Sequence, residues 1–285
     1  MSSLHPARRL WLALEPIHCI AYFHPGPTDA LKALGLKGFW MSYFAGRFAP
    51  LGAVGAGPVT ALAYGFAPSM VQRALPDAWS LATPEQVVSA RIGAAAAALA
   101  TVPGVADAAA LDELVELAES AAAACSFDGR ALAAGWGDVA RPTDALGRLW
   151  LAATVLREHR GDGHVNAAVG LGLSGLEATA TLVATGALPR AVIAPNRGWT
   201  DADWDHAHER LRLRGLLDDR GGLTPAGASL RAELEAVTDR LATAPADVLG
   251  PDLLARLVAL STPLSRALVD AGLVPMPNPI GVPRS

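Results

Sequence analysis

Alanine recurs through almost the whole chain, and it is the residue that costs least to hold in a helix. That feature biases the fold toward helices before any motif is considered. The chain has 285 residues, 52% of them hydrophobic and 18% charged, which is far from the polar, highly charged composition of a disordered segment. Its length suits two compact domains. The expected organisation is an N-terminal helical domain over 1–130, a second domain over 141–250, and a C-terminal helix with a Pro-rich tail over 251–285.

Punctuation by Pro, Gly and capping residues divides the chain into helices. Residues 6–23 read as a helix stopped by Pro25 and Pro27, and 29–48 as two short helices divided by Gly35 and Gly38. Residues 83–124 form a long Ala-rich region opened by Thr83-Pro84. A helix over 143–160, with Thr143 as N-cap, is expected to break at Arg160-Gly161-Asp162-Gly163. Further helices are expected over 164–185, 188–194, 201–214, 225–242 and 252–271. The glycine run Ala33 to Gly38 is echoed by Gly170 to Gly175, each followed at a distance by a Trp before a helix start, Trp79 and Trp199. This order suggests a tandem repeat, although two Ala/Gly-rich helical stretches can also look alike by chance.

Charge and cysteine usage narrow the functional classes. The net charge is −4 and only Lys32 and Lys37 are lysines, so the general basic excess of a nucleic-acid binder is missing. Cys19 and Cys125 are isolated, with no zinc-ribbon spacing, and suit a reducing cytoplasm. Residues 48–72 carry no charge, but Pro50, Pro58, Pro68 and four glycines argue for buried short helices over a membrane span.

The sharpest local pattern lies over 187–240. A helix ends at Arg212-Leu213-Arg214-Gly215, Leu216 and Leu217 start a strand, Asp218 to Gly222 turn, and Leu223-Thr224-Pro225 leads into the next helix. This resembles the MarR-type winged helix, in which the helix before the wing enters the major groove. The fold class it implies is mostly α, winged-helix-like, with small β-wing hairpins in each of two tandem repeats. The helix that would read DNA carries Asp201, Asp203, Asp205 and Glu209 before its first arginine, Arg210. Residues 201–240 hold nine acidic residues and six arginines, so this helix is expected not to touch DNA.

A second likeness spans nearly the whole chain. Glu15-Pro16-Ile17-His18 with Tyr22-Phe23, Tyr43-Phe44-Ala45-Gly46-Arg47 with Ala49-Pro50-Leu51-Gly52, Tyr64-Gly65-Phe66, Leu149-Trp150, and Leu156 to His164 resemble the SalK-like family. That family carries a helix-turn-helix label in its C-terminal part, so the resemblance implies the fold more than an activity.

Three groups of residues could carry chemistry. Glu15, His18 and Tyr22 recur at helical spacing and interrupt an apolar helix, as catalytic or ligand-binding groups or as a buried hydrogen-bonded set. Arg157, His159, Arg160, Asp162 and His164 cluster in the expected turn, where Asp162 would cap the next helix and His164 would lie in its first turn. There His18, His159, His164 and Asp162 are the acid/base candidates, and Arg157 and Arg160 would clamp an anion. Tyr43 and Arg47 stand at the entrance to the uncharged stretch, with Arg47 at the rim of an apolar cavity or as a surface arginine. Glu15, His18 and His164 could also hold a metal ion, and a histidine could ligate haem.

These residues point to a cytoplasmic small-molecule binder, leaning toward an enzyme, with its pocket between the halves. The small-molecule ligand would be anionic and partly apolar, a homodimer is possible, and neither DNA nor a membrane is expected as a partner. The alternative is a ligand-sensing winged-helix transcription regulator. A third reading is a scaffold that binds another protein through its acidic helix.

Overall fold

The computed structural model describes residues 4–102 and 108–281. The middle of the Ala-rich region and the chain ends lie outside them. The N-terminal elements are α1 (Pro6–Phe23), α2 (Pro25–Ala33), α3 (Gly38–Phe48), α4 (Ala56–Leu62), α5 (Pro68–Gln72), α6 (Pro84–Ala100), α7 (Ala108–Ala123) and α8 (Ala131–Gly137). The long α9 (Ala145–Gly170) follows, then α10 (Gly175–Ala184), α11 (Arg190–Ile193), α12 (Asp201–Leu213), α13 (Pro225–Leu241) and α14 (Ala244–Asp270).

Local sequence accounts for most of these boundaries. Thr83 with Gln86, Ser174 with Glu177, and Thr200 with Asp203 form reciprocal capping boxes at the starts of α6, α10 and α12. Each cap is worth about 1 kcal/mol. Asp144, not Thr143, caps α9, its carboxylate accepting from the Gly147 N–H at 2.7 Å. Pro25 and Pro27 do end α1, but they also open α2 at once, with the His24 ring accepting from the Gly26 N–H. Proline fits the first turn of a helix because that N–H has no partner to lose. Pro16 sits inside α1 without breaking it.

The expected break at Arg160-Gly161-Asp162-Gly163 does not occur. Helix α9 runs unbroken for 26 residues. Neither Gly161 nor Gly163 adopts a positive φ. Glycine inside a helix costs only about 1 kcal/mol, and packing offsets it. Here Gly163 lies against Leu241 and Arg130, which a Cβ would meet at contact distances of 3.4 and 3.8 Å.

Two apolar cores result. The first gathers α1, α3, α6, α7, α8, the start of α9, and α14, around Ile17, Phe44, Phe48, Trp136, Trp150 and Leu257. The second gathers the end of α9 with α10, α12 and α13, around Ala168, Leu176, Trp204, Leu211 and Leu234. Helix α9 therefore belongs to both. The uncharged stretch is packed short helices, and no single helix among the described residues is long and apolar enough to cross a membrane.

Among the described residues the expected wing hairpin is reduced to one antiparallel bridge, Leu217 with Leu223, and no strand forms. Asp218 closes its tip by accepting from the Arg220 and Gly222 N–H groups. The chain is thus mostly α, as read from sequence. The echoed glycine runs share one local motif. Gly35 and Gly172 both have positive φ, and the following Leu36 and Leu173 N–H groups donate back to Leu31 and Ala168.

Candidate functional site

A cavity of about 780 Å³ lies between the two cores. Helix α1 supplies Arg8, Trp11 and Glu15, α9 supplies Arg157, Arg160, Gly161 and His164, and α13 supplies Arg231, Glu235 and Thr238. The segment from Met276 to Gly281 covers part of it. Its volume falls in the range of small-molecule sites, roughly 300–1,000 Å³.

The ionic structure of the walls is biased positive. Arg8 reaches Glu235 at 2.7 Å and Asp239 at 3.0 Å, Arg160 reaches Asp239 at 2.8 Å, and Arg231 is paired with Glu235. Three guanidiniums thus surround two carboxylates. Arg157 approaches Glu15 at 3.6 Å and Glu158 at 2.7 Å. Burial pushes the Glu15 carboxyl up, against the pull of Arg157, and its Oε2 has no hydrogen-bond partner.

Because α9 is continuous, the polar residues read as a turn are distributed around one helix. Arg157, Arg160 and His164 line the cavity, and His159 and Asp162 do not. Asp162 does not cap a following helix. Its Oδ2 instead accepts from the Leu132 and Ala133 N–H groups at 3.0 Å each, so it caps α8 across the core. Burial raises its carboxyl to about 6, against those two donors. His159 is buried and His164 nearly so, and burial lowers both to about 4, leaving them neutral at pH 7. His164 lies inside α9, six residues before its last residue Gly170 and far from its N-terminus, so no free N–H groups surround it. Thr238 donates to the Leu234 carbonyl, so the Nδ1–H of His164 donates to the Thr238 hydroxyl at 2.9 Å and Nε2 keeps its lone pair.

Glu15, His18, Cys19 and Tyr22 do share a face, and all are buried. The Thr154 hydroxyl donates to the Trp150 carbonyl, so His18 donates to Thr154 from Nδ1 at 2.9 Å. Its Nε2 then accepts from the Tyr22 hydroxyl at 2.8 Å. Burial, helped by Arg157, holds the His18 pKa well below its ordinary value. Both ring nitrogens are thus engaged, and His18 does not reach the large cavity. Among the described residues no three His, Cys, Asp or Glu side chains gather to hold a metal ion, so Glu15, His18 and His164 are not brought together as ligands.

Arg47 is neither a rim nor a surface residue. It is buried and grips Glu158 with two hydrogen bonds of 2.9 Å, from Nε and Nη2, while Nη1 donates to the Tyr43 hydroxyl at 3.2 Å. Burial pushes the Glu158 carboxyl up, yet Arg157 and Arg47 together hold it well below the ordinary range. Glu158 is the centre of the buried charge network, and sequence reading passed over it because it sits among five other polar residues. Arg91 was passed over as well. Its signal was available: it is the single charged residue between Val87 and Ala100.

The surface of α12 keeps the acidic face expected of it. Asp201 pairs with Arg190 at 2.5 Å, Arg210 with Glu177 at 2.8 Å, and Arg212 with Glu209 at 2.8 Å. Arg214 donates to the Gly172 carbonyl at 2.8 Å. The arginines at the end of this helix are thus committed within the chain.

Compared with known proteins, the chain matches the family model described as a helix-turn-helix family over residues 7–275. No curated protein and no solved structure matches it.

Proposed function

We propose, from the premise that this chain belongs to that helix-turn-helix family, that it is a ligand-responsive regulator whose effector site is the cavity between the cores. The family supports a regulator more directly than an enzyme, since helix-turn-helix units commonly dock on DNA. The MarR-like order of α10, α11, α12, one-bridge wing and α13 supports the same reading.

One observation carries the coupling. Helix α9 is a single rigid element that begins in the first core, lines the cavity with Arg157, Arg160 and His164, and ends in the second core at Ala167 and Ala168. A ligand that moves this helix moves the helix-turn-helix unit with it. The ligand class follows from the walls: anionic, for the surplus guanidinium, and partly apolar, for Trp11, Leu182 and Leu188.

Asp201, Asp203, Asp205 and Glu209 set α12 against a phosphate backbone with or without ligand, so DNA must meet another face of the unit, one presented only when the ligand moves α9. Immobilised protein at low salt should retain no specific fraction of sheared host genomic DNA alone, and should retain one when a deproteinised small-molecule extract of the host is supplied. Retention of no specific sequence in either condition would contradict the regulator reading and leave a small-molecule binder without DNA output.

A further inference from the structure

The one arginine in α6 is buried with no ion pair among the described residues. Arg91 is 2% exposed, and its guanidinium lies over the rings of Tyr22 at 5.3 Å and Trp150 at 5.6 Å. It donates no hydrogen bond to any described residue, and its Nε and Nη2 are fully buried without a partner. The nearest network carboxylate, Glu158, is already held by Arg47 and Arg157. Gly46 leaves the space that the guanidinium occupies, since a Cβ there would fall 2.8 Å from Nη1.

A buried cation without hydrogen bonds is unfavourable unless something of opposite charge joins it. Nε and Nη2 are sealed from any water-sized group, so the nitrogen that a partner can reach is Nη1. Arg91 lines a small separate cavity of about 10 Å³, room for the centre of one group the size of a water molecule. Its polar lining is Tyr22, Thr28, Ser42, Tyr43 and Arg91, and no acidic side chain belongs to it. The hydroxyls are not equivalent. Ser42 donates to the Gly38 carbonyl and Tyr22 donates to His18, whereas Tyr43 accepts from Arg47 and keeps its own proton to give.

We propose that this cavity is a binding site for a small monovalent anion of halide size, held by the Arg91 guanidinium with the Tyr43 hydroxyl as a second donor. It is distinct from the large cavity and does not depend on the regulator reading. The two aromatic faces hold the guanidinium in place, so the anion meets a fixed donor. A water molecule would fit the volume and leave the charge uncompensated.

The test compares sodium chloride with sodium gluconate at matched ionic strength, because gluconate is too large for the cavity. Chloride should raise the melting temperature of the wild-type protein saturably and broaden the ³⁵Cl resonance, and bromide should reverse the broadening. Arg91→Met should abolish both responses. Tyr43→Phe should weaken the apparent chloride affinity about tenfold, the loss of one hydrogen bond to a charged group. Equal melting temperatures in the two salts, or a chloride response that persists in Arg91→Met, would overturn the proposal. If Arg91→Met does not fold, crystals soaked in bromide decide: an anomalous peak beside Arg91 supports the site, and its absence there overturns it.

Discussion

Glu158→Ala should lower the stability of the folded protein by about 3–5 kcal/mol, the range for removing one partner of a buried ion pair. The side chain is fully buried, and its loss leaves Arg47 buried with its charge uncompensated and leaves Arg157 only Glu15, at 3.6 Å. Glu158→Gln tests the cause, because it preserves shape and removes only the charge. Urea unfolding should give the two variants nearly the same loss. The pH dependence has a fixed sign. Arg157 and Arg47 depress the folded-state pKa of Glu158, so its contribution is fully present above the unfolded value of about 4.3 and is lost as the pH falls below it. The gap between wild type and Glu158→Gln should therefore narrow in acid. A gap unchanged from pH 7 down to pH 3 would mean that the carboxylate is not what holds the two arginines.

Gly175→Ala should be comparably damaging, by about 3 kcal/mol or more. A Cβ at Gly175 would stand 1.7 Å from the Tyr64 carbonyl oxygen, a backbone atom that cannot turn aside. Either α10 or the loop at Tyr64 and Gly65 must shift. That loop is tied down on both sides, by the Tyr64 hydroxyl donating to Leu173 and by the Trp199 indole N–H donating to Gly65 at 2.9 Å. It is also where the N-terminal half meets α10 of the second core, so the cost falls on the contact between the cores. Gly170→Ala is the control. Gly170 ends α9 with nothing within 4 Å of its Cβ position, so its melting temperature should be unchanged or slightly raised. A Gly175→Ala protein as stable as Gly170→Ala would show that this contact yields without cost.

Much of the helical framework was legible because its signals are local. The spans over 6–23, 201–214 and 225–242 agree with α1, α12 and α13 to within a residue, where Pro, Thr caps and Gly215 mark the ends. The expected break in α9 failed because two glycines and two charges were weighed without their tertiary partners. Asp162 looked like a local cap, and only the fold shows that its acceptor is used by α8, some thirty residues earlier. The same limit applies to the site. Arg157, Arg160 and His164 were found and do line one cavity, but the residues facing them, Arg8, Arg231 and Glu235, lie on α1 and α13 with no spacing that links them. Arg47 and Glu158 are 111 residues apart, so no local pattern could show that they pair.

The coupling of cavity to helix-turn-helix unit is most directly tested by amide hydrogen exchange, with and without a deproteinised host extract, on wild type and Gly161→Phe. Gly161 lines the cavity, and a Cβ there meets its nearest atoms at 3.5 and 3.6 Å, ordinary contact, so a phenyl ring can enter the cavity from an intact α9. The extract should slow exchange in the wild type along the middle of α9 and also in α12 and the turn after it, which do not line the cavity. Gly161→Phe should show neither change. Protection confined to α9 and α13, or the same protection in both proteins, would contradict a cavity that governs the helix-turn-helix unit.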